Sequence, residues 1–271
     1  MTTTPDDASR DHTGKPPVVD LPTWQAARDE LLVREKAQTR EGDAIAAARR
    51  RLPMVEVDGR AEVVGANGAV PFVDLFHGND ELVVYHSMWY DGAPPQGQCE
   101  GCTFNIWHLK DAVVYLEARG VSSAVLTSGD WREVAPYVEF MGYTVPWFSV
   151  RGVEPRLLTE EGHFEVYLRD GERVFLTYST TGRGNEPADA TLGLLDMTPY
   201  GRREGWEDNP EGWPAGSEVG GIGGHGAPIC WYWRTDADGV ANWGPTSRPT
   251  PQWTRPGATP VDTLGRMGDH A

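Results

Sequence analysis

Cysteine is scarce in this sequence: three residues in 271, at positions 99, 102 and 230. So few exclude a disulfide-stapled scaffold, and a close pair in a chain of this kind points to catalysis or metal binding. Basic residues are in deficit too. Twenty-four Lys and Arg face forty Asp and Glu, a net charge of -16, which repels nucleic acid and anionic membrane. No run reaches the roughly 18 apolar residues of a membrane span. The first twenty residues, MTTTPDDASRDHTGKPPVVD, lack a cationic n-region and an apolar h-region, so no secretory leader is expected and the expected location is cytoplasmic. There is no G-x-S-x-G elbow, no H-E-x-x-H and no internal repeat, and GGIGGHG follows no strand that would make it a dinucleotide-binding turn.

What is present suits a soluble globular protein, with 39% hydrophobic and 24% charged residues. The length predicts one domain with extensions. Residues 1–21 read as a disordered polar arm. Residues 22–52 read as a helical extension in which Trp24, Ala27, Leu31, Ile45 and Ala48 face a core and Gly42 divides the helix in two. Arg49, Arg50 and Arg51 read as a solvated helix end. Residues 53–200 are expected to form the main domain. It begins with two short strands within Val55–Val64, paired about Asp58-Gly59. The continuous apolar run from Leu82 to Met88 predicts a central strand buried on both faces, as in a parallel sheet.

A helix carrying Phe104, Trp107, Ala112, Tyr115 and Leu116 should end near Gly120. Val121–Thr127 is the next strand. Gly129-Asp130 opens a second helix with Val134, Tyr137, Val138 and Met141 on one face and Gly142 as its stop. Pro146–Val150 is a third strand, and residues 151–162 a connector over the site. Residues 163–169 and 172–180 form a hairpin about Asp170-Gly171, and a helix follows near 188–197. This order predicts an α/β sandwich built from a βαβ unit, a hairpin and a closing helix. Residues 201–271 hold fourteen glycines and six of the eleven tryptophans. They read as a Trp/Gly/Pro-rich, loop-rich arm whose tryptophans pack on the domain more readily than on a ligand.

The chemistry concentrates in Gln98-Cys99-Glu100-Gly101-Cys102-Thr103, between the central strand and the first amphipathic helix. A thiolate is the attacking form of cysteine, and a helix N-terminus stabilises it. This placement points to Cys99 as the attacking thiol and Cys102, one turn in, as the resolving thiol. Glu100 opposes the acidification. No organic cofactor is required; a dithiol protein or small-molecule thiol would supply electrons. Trp89, Glu100, Gly101, His108 and Trp147 are placed to line the site. The competing reading is zinc, with Cys99 and Cys102 as one ligand pair and His225 with Cys230 as another. His108 could join as a ligand or proton donor, though packing on the helix face is the plainer role. Cys230, in the apolar run CWYW, reads as a buried, inert cysteine. A non-catalytic binding protein, with the C-terminal tryptophans as its surface, is the third reading.

The segments WQAARDELLVREKAQTREGDAIAAARRRLPMVEVD, DLFHGNDELVVYHSMW, QCEGCTF, FMGYTVPWFSV, VYLRDGERVFLTYSTTGRG, LLDMTPYGRRE and GWEDNPEGWP resemble, in this order, a bacterial thioredoxin-like family known as domain of unknown function 899, a predicted dithiol-disulfide oxidoreductase. They run from about Trp24 to Pro214. The resemblance implies a thioredoxin-like fold, a three-layer sandwich, and dithiol chemistry at Cys99 and Cys102. More distantly, DLFHGNDELVVYHSMW followed by cysteines is similar to the peroxiredoxin branch of the fold, which implies a thiol peroxidase as an alternative. The chain lacks that branch's usual proline and threonine ahead of its cysteine. It also has no proline directly before FEVYLRD, where thioredoxins place one; Pro146 lies one strand earlier.

Overall fold

Seven residues, Glu81–Ser87, form the strand on which the rest of the protein is assembled. We label it β4 in a computed structural model of the chain that describes residues 14–93, 98–153, 161–202 and 207–213. β4 pairs in parallel with β5 (Val121–Thr127), from Glu81↔Val121 to Ser87↔Thr127. On its other side it pairs antiparallel with β7 (His163–Asp170). Flanked by strands on both edges and covered on both faces, it is the buried central strand that its apolar run predicts. β6 (Trp147–Ser149) continues the sheet beyond β5, and β8 (Arg173–Thr181) beyond β7.

Two helices connect the parallel strands. α2 (Glu100–Glu117) links β4 to β5, and α3 (Trp131–Met141) links β5 to β6. Because β4, β5 and β6 step in one direction, right-handed crossovers put both helices on one face of the sheet. Their side chains accordingly share one apolar cluster with Tyr85, Val125 and Phe164. The ends of α3 are written in the sequence: the Asp130 carboxylate caps the N–H of Arg132, and Gly142 takes the left-handed conformation, φ 65°. β7 and β8 form the expected hairpin, but its two linking residues are Gly171 and Glu172, since Asp170 still pairs with Arg173. The left-handed position, φ 61°, falls on Gly171. α4 (Ala190–Asp196) closes the chain against this helical face after a 3-10 segment, Gly182–Ala188.

The strands before β4 depart from expectation. β1 (Val55–Val57) does not pair with β2 (Glu62–Gly65). β1 pairs with β8 at one end of the eight-stranded sheet, whereas β2 pairs with β6 and with β3 (Gly68–Pro71) at the other. The Asp58-Gly59 turn thus links two distant strands, and the hairpin turn is at Ala66-Asn67. A link this short spans at most about 3.5 Å per residue, so the two ends of the sheet must approach each other, and the sheet curls. Inside the curl, the 3-10 turn Phe72–Phe76 inserts Phe72, Leu75 and Phe76 among Val57, Val63, Leu82 and Tyr167. The result is an α/β thioredoxin-like sandwich, helices on the outer face of a curled sheet whose inner face is filled by a plug of its own chain.

α1 (Leu21–Arg49) corrects the reading of residues 22–52. It is one helix, uninterrupted at Gly42, and buries none of its residues. Trp24 is 53% exposed, and Ala27, Leu31, Ile45 and Ala48 are exposed as well. Its start is well marked: the Asp20 carboxylate caps the Thr23 N–H, and Pro22 takes the second position of the first turn. A Cβ at Gly42 would meet nothing within 4 Å. Gly42→Ala is therefore expected to raise the stability of α1 by about 0.5–1 kcal/mol, seen as a higher helical melting temperature by circular dichroism. Among the described residues no helix is long and apolar enough to cross a membrane. Of the C-terminal tryptophans, Trp213 packs edge-on to Tyr200, ring centroids 6.2 Å apart, and donates to the Pro199 carbonyl at 2.8 Å. Trp206, Trp231, Trp233, Trp243, Trp253, His225 and Cys230 lie outside the described residues.

Candidate active site at the head of the second helix

The carboxyl end of β4 turns at Met88 and re-enters the structure as α2, with Cys99 as the helix N-cap. Cys99 accepts the backbone N–H of Cys102 at 3.4 Å, as a capping side chain does. Buried Gln98 holds the intervening loop. Its amide donates to the carbonyls of Tyr90 (3.0 Å) and Ala93 (3.3 Å) and accepts the Tyr90 N–H at 3.1 Å. Glu133 on α3 pins the same loop, accepting from Trp89 Nε1 and the Gly92 N–H, both at 3.3 Å.

Both cysteines are unlinked thiols, 6% and 3% exposed. Their surroundings differ. Cys102 Sγ accepts the Met88 N–H at 3.3 Å. Burial opposes its ionisation, but hydrogen bonds from the Cys99 thiol, Tyr85, Met88 N–H and Ser87 outweigh it and hold Cys102 below the usual thiol range. The hydrogen bond to Cys102, reinforced by burial, holds Cys99 well above that range. Of the two, Cys102 is thus the easier to ionise and Cys99 the harder. Cys99 also lies 3.7 Å from the Met88 sulfur. Tyr85 stays a donor because burial, and then the charges of the two cysteines, raise its phenol well above 10. Tyr85→Phe removes one donor to the thiolate. The apparent pKa of the pair, read from the pH dependence of iodoacetamide alkylation, should rise by about one unit, equal to roughly 1.4 kcal/mol.

The residues expected to line the site are distributed as follows. Gly101 is buried, and its carbonyl accepts from Asn105 at 2.8 Å. The Glu100 side chain lies outside the described residues. Trp89 stands edge-on to Tyr137 with centroids 5.5 Å apart. Tyr137 meets the hydroxyl of Thr103 at 3.1 Å, and Thr103 donates to the Cys99 carbonyl at 2.9 Å. Trp147 is one ring further off, packed on Tyr137 and stacked on Tyr143 at 5.5 Å. His108 faces α4 instead: its Nδ1 lies 2.8 Å from the Phe104 carbonyl, its Nε2 lies 2.8 Å from the Thr191 hydroxyl, and Asp189 approaches to 3.5 Å. Tyr115 departs from the expected inward stripe of α2, being 77% exposed. The inward positions nearer the dithiol are Ile106 and Leu109.

Sequence reading missed Tyr85, Ser87, Met88, Thr103 and Asp189. Tyr85, His86 and Ser87 were visible as polar groups closing an apolar strand. Nothing local marked Asp189. It is 4% exposed, and burial, then the charge of Glu186, raise its carboxyl to about 7 against the pull of Arg202. On the other face of the sheet His86 and Glu165 form a second buried pair, 2.8 Å apart though off hydrogen-bond alignment, with the Tyr167 hydroxyl donating to the same carboxylate. Among the described residues no group of three or more His, Cys, Asp and Glu gathers as a metal site.

Strand order, helix placement and a C-x-x-C capping α2 define a thioredoxin-like protein with a buried dithiol. The chain belongs to the family described as bacterial protein of unknown function (DUF899), which it matches over residues 13–238. No curated protein matches it. Among solved structures it is similar to a thiol:disulfide interchange protein from Bacteroides sp., at 14% identity and TM-score 0.37, covering 54% of this chain and 93% of that one. It is similar also to peroxiredoxin Q from Xanthomonas campestris, at 14% identity and TM-score 0.36, covering 54% and 95%. A third is peroxidoxin BcpB from Mycobacterium tuberculosis, at 14% identity and TM-score 0.35, covering 53% and 96%.

Proposed function

We propose that the protein is a thiol–disulfide oxidoreductase that cycles Cys99 and Cys102 between dithiol and disulfide. The observation that carries this reading is the geometry of the pair: Cys99 caps α2 and accepts the Cys102 N–H at 3.4 Å, and Cys102, one turn in, accepts the Met88 N–H at 3.3 Å. Cys99, at the helix start, first passes its proton to Cys102 and then, as the thiolate, attacks one sulfur of a substrate disulfide. The first substrate sulfur leaves as a thiolate, and a mixed disulfide remains on Cys99. Cys102 then attacks Cys99 Sγ, and the second substrate sulfur leaves, taking up the proton. Two electrons pass to the substrate, and the enzyme holds a Cys99–Cys102 disulfide. A dithiol protein or a small thiol returns it to the reduced form.

The burial of both sulfurs supports a second reading, a thiol peroxidase, because it favours a small oxidant over a folded protein disulfide. A thiolate would break the peroxide O–O bond to give a sulfenic acid and, after proton uptake, water; the other thiol would condense with it, releasing a second water and forming the same disulfide.

The two readings separate in one experiment. The reduced full-length protein is mixed with glutathione disulfide or with hydrogen peroxide, and the free thiols are followed by alkylation and mass. A reversible Cys99–Cys102 couple reached at least tenfold faster with the disulfide supports the oxidoreductase. A tenfold preference for peroxide supports the peroxidase. Cysteines that never pair under either oxidant overturn both.

A further inference from the structure

A cavity of about 610 Å³ lies away from the dithiol. It lies between α3, β6 and the β2–β3 hairpin, and neither cysteine lines it. Its size falls within the range of small-molecule sites, roughly 300–1,000 Å³. Its walls are apolar and rich in rings: Trp131, Tyr143, Trp147 and Phe148, with aliphatic side chains between them. Tyr143 and Trp147 are stacked and buried, so this part of the wall is already in place. The carboxylates of the lining are Asp74 and Glu139; His77 is its one imidazole, and it contains no Lys and no Arg. Both carboxylates are exposed at the rim. Aromatic faces and carboxylates attract the same charge, the first through the ring quadrupole and the second directly.

We infer that this groove binds a small organic cation with a flat apolar body, of the aryl-alkylamine class. The ring system would lie against Trp131, Tyr143 and Trp147, and the ammonium group would reach Asp74 and Glu139. An anionic ligand of the same shape would meet two carboxylates, with His77 the one basic side chain to offset them. The site goes beyond the redox reading. It uses neither sulfur, and it stands or falls independently of dithiol chemistry.

Three probes of one shape test it: tryptamine, a cation; 3-ethylindole, neutral; and indole-3-propionate, an anion. Each is titrated by calorimetry into the full-length protein and into the Asp74→Asn/Glu139→Gln double variant. Both substituted residues are exposed, so folding should be preserved, and a Trp131→Ala variant checks the ring wall separately. Tryptamine should bind at least tenfold tighter than indole-3-propionate, with 3-ethylindole between them. The double variant should bring the cation and the anion within about threefold, and Trp131→Ala should weaken tryptamine at least fivefold. No saturable binding by any probe at millimolar concentration overturns the inference. So does an anion that binds as tightly as the cation, or a tryptamine affinity indifferent to the three substitutions. The same titration on Cys99→Ser protein should be unchanged, which keeps this test apart from that of the redox reading.

Discussion

Cys102→Ser is expected to stop turnover after the first chemical step and to leave the substrate thiol attached to Cys99. The reason is the division of labour between the two sulfurs. Cys99 can still attack, but the sulfur that takes its proton and then resolves the mixed disulfide is gone. Serine offers a hydroxyl whose oxygen does not displace a thiol from sulfur. Mixed with glutathione disulfide, the variant should gain one glutathione by mass, and steady-state disulfide reduction should fall by at least a thousandfold, about 4 kcal/mol in the barrier. Cys99→Ser should also abolish turnover, but without an adduct at the same rate. The contrast matters more than either loss. An adduct on Cys102 in the Cys99→Ser protein that forms faster than the adduct on Cys99 would reverse the assignment, making the stabilised thiolate the attacking sulfur.

A second large effect is expected at Asp189. Its carboxyl is raised from an ordinary 3.8 to about 7, chiefly by burial. An acid that holds its proton more tightly when folded favours the folded state below its unfolded pKa. That contribution is lost as pH climbs from about 4 to 7, and above 7 the whole cost of the buried charge is present. Asp189→Asn keeps the shape and removes the charge. α4 gains no side-chain cap from Asp189, so no capping bond is lost. Arg202 keeps Asp196 and Glu186 as partners, at 2.6 Å and 3.1 Å. The variant should gain about 2–4 kcal/mol over the parent at pH 8, the upper figure being the full three-unit shift at roughly 1.4 kcal/mol per unit. The gain should shrink to nothing near pH 4. Urea unfolding at the two pH values measures it, and an equal effect at both would show that the carboxyl is not raised. Because the Asp189 charge also reaches Tyr85, the substitution connects the far side of the helical face to the phenol that supports Cys102.

The sequence made some of this legible. β4, β5 and the two following helices could be read because each carries a strong local signal: a largely apolar run, a capping Asp130, a stopping Gly142. The β7–β8 hairpin was legible to within one residue, because Gly171 is the residue that tolerates a left-handed backbone there. α1 was misread in its packing because helical periodicity states which residues share a face, not whether anything covers it. The Val55–Val64 hairpin was misread because Asp58-Gly59 is good turn chemistry wherever the chain bends, and only long-range pairing with β8 decides where β1 goes. At the site, the sulfur spacing was local and visible. The donors were not, since the Met88 backbone and Tyr85 meet the dithiol only after the chain has folded β4 against α2.

The curl of the sheet also sets a timetable. Val55 pairs with Leu176, and Val64 with Ser149. During synthesis β1 therefore waits about 120 residues for its partner, on the order of 6–24 s at roughly 5–20 residues per second. Through that interval Val57, Val63 and the Phe72–Phe76 plug have no finished sheet to enter. The strand that leads into the dithiol, β4, waits about 40 residues for β5. The dithiol is thus framed early, whereas the clasp that closes the barrel-like curl around its own plug must be the last joint of the sheet made, and the residues that wait longest are those a chaperone would find.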